Sequence, residues 1–197
     1  MSQAAPLEQK AALRAAADQA VRRLNPEQRA EASANACALL KLQPVWERAR
    51  SILFYSPFRQ ELDVWQLLTD ALDSRRLVAL PRFAPERQIY EAARVNNLDR
   101  DIQAARFGIR EPTPTCSVVP LNELDLALVP GVAYDRNGAR LGRGYGYYDR
   151  FLAAFPGIKC GVAFAEQVLE AIPMEAHDVR LDCILTPTLW IQCHSPV

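Results

Sequence analysis

Apolar positions along this chain recur at two spacings, and the alternation of the spacings predicts its elements. Leu7, Leu13, Ala17, Val21 and Leu24 fall at a helical period in alanine-rich sequence, which predicts a helix over 7–24. Asn25-Pro26-Glu27 has the form of an N-cap with proline at the first helical position, so a second helix follows to about Leu40. Ser51 to Tyr55 is a short apolar run, read as a buried strand ended by Ser56-Pro57. Helical spacing returns over Leu62 to Leu72. Leu77 to Leu80 is a further buried strand closed by Pro81, and Gln88 to Glu91 is a weaker strand. From Arg106 to Pro120 the chain is loop-like and rich in proline. Leu124 to Val129 predicts a strand ended by Pro130-Gly131, Tyr147 to Phe155 a helix, and Ile158 to Phe164 and Cys183 to Leu185 two more strands. Strands that alternate with helices indicate an α/β fold with a largely parallel sheet. No repeat, low-complexity segment or linker interrupts the 197 residues, so one domain is expected, its two leading helices packed on the sheet.

Composition narrows the function classes. Half of the residues are hydrophobic, which suits one core of ordinary size. The formal net charge is zero, so no basic field of the kind that holds nucleic acid is expected. No apolar run approaches the roughly 18–20 residues of a membrane span, and Met1 to Lys10 lacks the apolar core of a signal peptide. Cys37, Cys116, Cys160, Cys183 and Cys193 are scattered, with no C-x-x-C pair, and read as buried thiols of a reducing cytosol. Lysine occurs only at 10, 41 and 159, which draws notice to each.

The chemistry concentrates in one stretch, Arg140-Leu-Gly-Arg-Gly-Tyr-Gly-Tyr-Tyr-Asp149, which follows Val129-Pro-Gly-Val-Ala-Tyr-Asp135. Gly142, Gly144 and Gly146 alternate. Glycine permits positive φ and leaves no side chain between backbone amides and a ligand. Such amides, with a helix start behind them, suit a triphosphate. Arg140 and Arg143 add neutralising charge, and Asp149 offers a carboxylate to Mg²⁺. The stretch is neither a Walker loop nor the dinucleotide fingerprint, and a tight structural turn is the competing reading. Lys10 and Arg14 are four residues apart and share a helix face, where they could supply the cation the loop lacks. A solvated helix face is the alternative.

Taken together these segments resemble the 5-formyltetrahydrofolate cyclo-ligase family, also called 5,10-methenyltetrahydrofolate synthetase, over nearly the whole chain. The resemblance is carried by Lys10-x-x-x-Arg14, by Ser51-Ile-Leu-Phe-Tyr-Ser56 with Glu61-Leu-Asp63, and by Leu80-Pro-Arg-Phe83. Phe107-Gly-Ile-Arg-Glu-Pro112, the glycine-rich stretch, and His177-Asp178-x-x-Leu-Asp182 with Thr186 complete it. Tyr145 stands where many relatives carry glycine or lysine, and Val64 where threonine is common.

The resemblance implies a three-layer α/β sandwich with a mostly parallel, Rossmann-like sheet of the sugar-phosphate isomerase/CoA-transferase kind. It implies ATP- and Mg²⁺-dependent conversion of 5-formyltetrahydrofolate to 5,10-methenyltetrahydrofolate with release of ADP and phosphate. Asp149 and Asp178 would then be the magnesium carboxylates. Lys10, Arg14, Arg140, Leu141, Gly142, Arg143, Gly144, Tyr145, Gly146, Tyr147 and Tyr148 would bind ATP, with Arg140 and Arg143 as the catalytic cations. Arg14, Ser56, Glu61, Phe83, Phe107 and Tyr147 would meet the folate, whose tail can be polyglutamylated. A cytoplasmic monomer without nucleic-acid or membrane partners is expected.

That chemistry fits the residue types. A formamide oxygen leaves poorly, and phosphorylating it lets N10 close the ring. Phosphoryl transfer asks the protein for positioning and charge neutralisation rather than a nucleophile, so none is assigned, and no cysteine is given that role. A carboxylate such as Glu61 suits the pterin edge, and Tyr55, Phe58, Phe83 and Phe107 could wall the ring or simply pack the core. His177 reads as a loop residue rather than a general base, and His194 as incidental. Two other function classes stay open. A non-catalytic relative that binds RNA or a partner would show a basic surface and eroded site residues. A different ATP-dependent ligase or kinase would keep the loop and change the pterin pocket.

Overall fold

The computed structural model describes residues 4–105, 109–144 and 146–193. Three helices open the chain, α1 (Ala4–Arg22), α2 (Pro26–Lys41) and α3 (Pro44–Arg48). Strand β1 (Ser51–Leu53), α4 (Trp65–Asp73), β2 (Leu77–Ala84) and β3 (Ile89–Val95) follow. Next come α5 (Leu98–Asp101), β4 (Ile102–Ala104), β5 (Arg110–Pro112) and β6 (Val118–Val119). The second half holds β7 (Leu126–Val129), β8 (Ala133–Asp135), β9 (Arg140–Leu141), α6 (Tyr147–Ala153) and β10 (Ile158–Val162). It closes with β11 (Val168–Leu169), β12 (Cys183–Leu185) and β13 (Trp190–Gln192).

An eight-stranded sheet runs in the order β13-β12-β10-β7-β1-β2-β3-β6. Its central pairs, β12 to β10, β10 to β7, β7 to β1 and β1 to β2, are parallel, and antiparallel strands flank them on both edges. Alternate residues of the central strands face opposite layers, as a strand's period of two requires. Ile52, Leu126, Leu128, Cys160, Val162 and Leu185 pack with Leu40, Leu67 and Leu68 of α2 and α4. Leu53, Ala127, Val129 and Ile184 pack with Phe151, Leu152 and Phe155 from the segment of α6. Burial on both faces is why these strands read as continuous apolar runs. A third apolar cluster joins Ala17 of α1 to Val132, Ala133 and Leu141, so the basic helix lies against the small sheet β11-β8-β9 that carries the start of the glycine-rich loop.

Several boundaries differ from expectation for identifiable reasons. Strand β2 runs through Pro81, because β1 ends opposite Ala79 and leaves the proline's missing N–H without a partner to fail; Pro81 pairs only with Ala92 of β3. The proline-rich span after residue 105 contains β5, paired with β4, and the edge strand β6. Helix α2 begins as expected: the Asn25 side chain accepts from Gln28 N, and Gln28 returns the bond to Asn25 N. Strands β8, β9, β11 and β13 and the short helix α3 carry no periodic signal long enough to read.

Candidate active site

The loop that joins β9 to α6 is held from both sides. Gly144 (φ 98°) and Gly146 (φ 64°) take left-handed backbone that only glycine adopts freely. Gly142 lies against the loop's arginine instead: a Cβ there would come within 3.0 Å of Arg140 Nη1 and press on that guanidinium. On one side Arg14 of α1 donates from Nε to Gly142 O at 2.8 Å. On the other, Arg143 lies 3.6 Å from Glu61 Oε1 and stacks 4.9 Å over Phe58.

Lys10 and Arg14 are therefore no solvated helix face. Lys10 is 6% exposed and donates to Asp178 Oδ2 at 2.9 Å and Glu175 Oε2 at 3.1 Å. Burial by itself works to lower the lysine's pKa, but the two carboxylates outweigh it and raise the value. For Asp178 the same contest goes the same way: burial works to raise its pKa, and the Glu175 N–H, Lys10 and His177 bring it below the ordinary value. Glu175, which no motif flagged, is thus a partner of the predicted ATP-binding lysine. Its only signal in the sequence was its place three residues before Asp178.

Arg140 is nearly as buried, and donates from Nη2 to Asp149 Oδ1 at 2.7 Å. Its guanidinium lies 5.7 Å from the centre of the Tyr148 ring. Asp149, in the first turn of α6, thus holds the loop's own arginine. Asp149 and Asp178 line the same cavity of about 760 Å³, together with Gly146, His177 and Lys159. Hard oxygen donors in one cleft fit a magnesium ion. Glu175 and His177 stand close enough to Asp178 for one ligand atom of each to lie within 4.8 Å of the others.

The remaining expected residues divide. The Glu61 side chain is 9% exposed and accepts from Phe58 N at 2.9 Å. Burial pushes its carboxyl above the usual value, while that N–H and Arg143 pull the other way without cancelling it. Ser56 accepts from Arg110 N at 3.1 Å and so pins β5 beside the site. Phe83 stacks edge-on against Tyr90 at 5.5 Å, Tyr90 faces Tyr148 at 6.3 Å, and Tyr148 meets Phe151 at 6.3 Å. This aromatic row connects β2 and β3 to α6, and Tyr90 and Phe151 are the members that the sequence did not single out. Tyr55 is core: it is 1% exposed, and its hydroxyl donates to Leu62 O at 2.6 Å. Leu141 is also buried, in the cluster beneath α1. Thr186 and Asp182 do structural work, accepting from Leu189 N and Lys159 N respectively. Phe107, Tyr145, His194 and the side chain of Tyr147 lie outside the described residues.

Residues 6–187 match the model of the 5-formyltetrahydrofolate cyclo-ligase family. The chain belongs to this family. A member from Escherichia coli K12 named 5-formyltetrahydrofolate cyclo-ligase is 32% identical over 175 residues, spanning 85% of this chain and 94% of that one. One from Mycolicibacterium smegmatis with the same name is 47% identical over 87 residues, which cover 43% of this chain and 45% of that one. The solved 5,10-methenyltetrahydrofolate synthetase of Aquifex aeolicus superposes with a TM-score of 0.84 at 30% identity, covering 95% of this chain and 94% of its own. The synthetase from Mycoplasma pneumoniae, at 21% identity and a TM-score of 0.72, shares the fold. The family is one of enzymes, and the mixed α/β architecture is shared with these two solved synthetases.

Proposed function

We propose that the protein converts 5-formyltetrahydrofolate to 5,10-methenyltetrahydrofolate at the expense of ATP, with Mg²⁺, and releases ADP and phosphate. One observation carries this reading. The glycine-rich loop is gripped by Arg14 of the basic helix on one flank and reaches Glu61 through Arg143 on the other. A nucleotide on the loop and a pterin on Glu61 would therefore be neighbours, as phosphoryl transfer between them requires.

In this reading Lys10, Arg14, Arg140 and Arg143 bind the phosphates, and Gly142, Gly144 and Gly146 let backbone amides approach them. An ion held by Asp149 and Asp178 would supply neutralisation of phosphate charge. Glu61 accepts hydrogen bonds from the pterin edge, and Phe58 and Phe83 line its approach. Ser56 orients the strand beside it. With the formyl oxygen turned toward the loop, Arg140 and Arg143 stabilise the charge that passes from ATP to that oxygen, and N10 then displaces the phosphate. No side chain forms a covalent bond. Residues 1–197 act as one such domain, in the cytoplasm, as a monomer.

The test is direct. Purified protein is incubated with 5-formyltetrahydrofolate, ATP and Mg²⁺, and the absorbance of the methenyl product is followed. Product that depends on both ATP and Mg²⁺ is expected. ATP binding without product would assign the site to another small-molecule acceptor.

A further inference from the structure

Every carboxylate assigned above to the metal already holds a cation assigned above to phosphate. Lys10 Nζ lies 2.9 Å from Asp178 Oδ2, and Arg140 Nη2 lies 2.7 Å from Asp149 Oδ1. The two pairs come from different parts of the chain, α1 with the 175–178 turn in one case and β9 with α6 in the other. Both cations are buried, at 6% and 7% exposure, and both carboxylates open on one cavity. Lys10 has a second acceptor in Glu175, but that carboxylate is 42% exposed and correspondingly screened. Arg140 keeps a buried Nε donor with no acceptor among the described residues. Its guanidinium therefore has hydrogen-bonding capacity that its present partners do not use.

Removing one member of a buried ion pair strands the other. A divalent cation taken by Asp149 and Asp178 alone would strip Lys10 and Arg140 of their main counter-charges and place like charge beside them. A polyphosphate taken by Lys10 and Arg140 alone would do the converse to the carboxylates. When both arrive, every charge again has a partner. Resting on the reading of the site given above, we infer that Lys10 and Arg140 are placeholders: the site loads by exchanging two internal ion pairs for two external ones, so divalent cation and nucleotide bind as a unit. Reciprocity follows, since each ligand must change the other's affinity by the same factor.

Mn²⁺ counted by electron paramagnetic resonance tests this on the full chain, without turnover. With the non-hydrolysable analogue AMP-PNP present, wild-type protein should bind Mn²⁺ at least about tenfold more tightly than without it, a coupling of ordinary size. Lys10→Met should raise the nucleotide-free Mn²⁺ affinity severalfold. Asp178→Asn, which frees Lys10, should raise the affinity for AMP-PNP measured in EDTA, although it removes a metal carboxylate. Unchanged or weaker nucleotide-free Mn²⁺ binding by Lys10→Met, with Asp178→Asn still losing Mn²⁺ in the presence of AMP-PNP, would overturn the exchange and leave the site reading intact. If neither Asp149→Asn nor Asp178→Asn alters Mn²⁺ binding with AMP-PNP, the carboxylate assignment fails and the exchange with it. Circular dichroism checks each fold. If Lys10→Met does not fold, the metal-free AMP-PNP affinity of Asp178→Asn decides alone, and no gain there overturns the inference.

Discussion

Glu61→Gln should make the protein more stable at neutral pH and much poorer at using folate. The substitution keeps shape, and the amide oxygen can still accept from Phe58 N, now at 2.9 Å. What disappears is a negative charge on a side chain 9% exposed. Two opposing effects go with it. The attraction to Arg143 is lost; at 3.6 Å, with that guanidinium 41% exposed, water-like screening makes it worth about 1 kcal/mol. The burial penalty is lost too, and burial is the larger of the two, since the carboxyl is held above its ordinary value despite Arg143.

The sign follows from proton linkage. An acid whose pKa is raised by folding binds more protons folded than unfolded, so wild-type stability falls as pH rises from the ordinary value, 4.5, through the raised one. The stability difference between Glu61→Gln and wild type should therefore be smallest near pH 4, grow across that window and stay constant above it. Each pH unit of the raise is worth about 1.4 kcal/mol, and each kcal/mol reads as a Tm change of about 2–4 °C in a chain of this size. Folate affinity should fall roughly 10- to 100-fold, the value of a charge-assisted hydrogen bond of about 1.5–3 kcal/mol. Thermal unfolding at pH 4 and pH 7.5, with folate titrations at pH 7.5, measures both. A variant less stable than wild type at pH 7.5, or a Tm difference that ignores pH, would refute the reasoning.

Other perturbations give further checks. Asp149→Asn should abolish Mg²⁺-dependent turnover and also lower stability by about 3 kcal/mol, because it weakens the only carboxylate partner that the described residues give buried Arg140; denaturant unfolding with an unchanged midpoint would contradict the structural half. Gly161→Ala would put a Cβ 2.7 Å from Leu181 Cδ1 and 2.8 Å from the Tyr134 ring, in a core where Tyr134 donates its hydroxyl to Val129 O or Val162 O. Overpacking of that kind should cost about 1–3 kcal/mol, and an unaltered melting curve would show that the ring can move aside.

The chain's periodicity determined a good deal by itself. Strands buried on both faces announce themselves as apolar runs, so β1, β7, β10 and β12 were legible. The Asn25 cap was legible too, because its bonds reach only three residues along the chain. The glycine-rich stretch raised the expectation of a phosphate loop, although the sequence alone left a structural turn open and could not show that Gly144 and Gly146 take left-handed backbone while Gly142 lies against Arg140. The contacts that make a site of these residues were beyond it. Lys10 meets Asp178 across 168 positions, and Arg14 meets Gly142 across 128. A charge on a helix face reads the same whether water or a carboxylate lies opposite, so only packing α1 onto the small sheet decided that Lys10 is buried. Strands of two or three residues, such as β8, β9 and β11, are stabilised by their ladders rather than by their own sequence, and they exist because the tertiary fold supplies the partner. The loop that seemed a site in its own right thus takes its chemistry from its neighbours: Arg14 on one flank, Glu61 on the other, and a buried cation already paired with each carboxylate assigned to the metal.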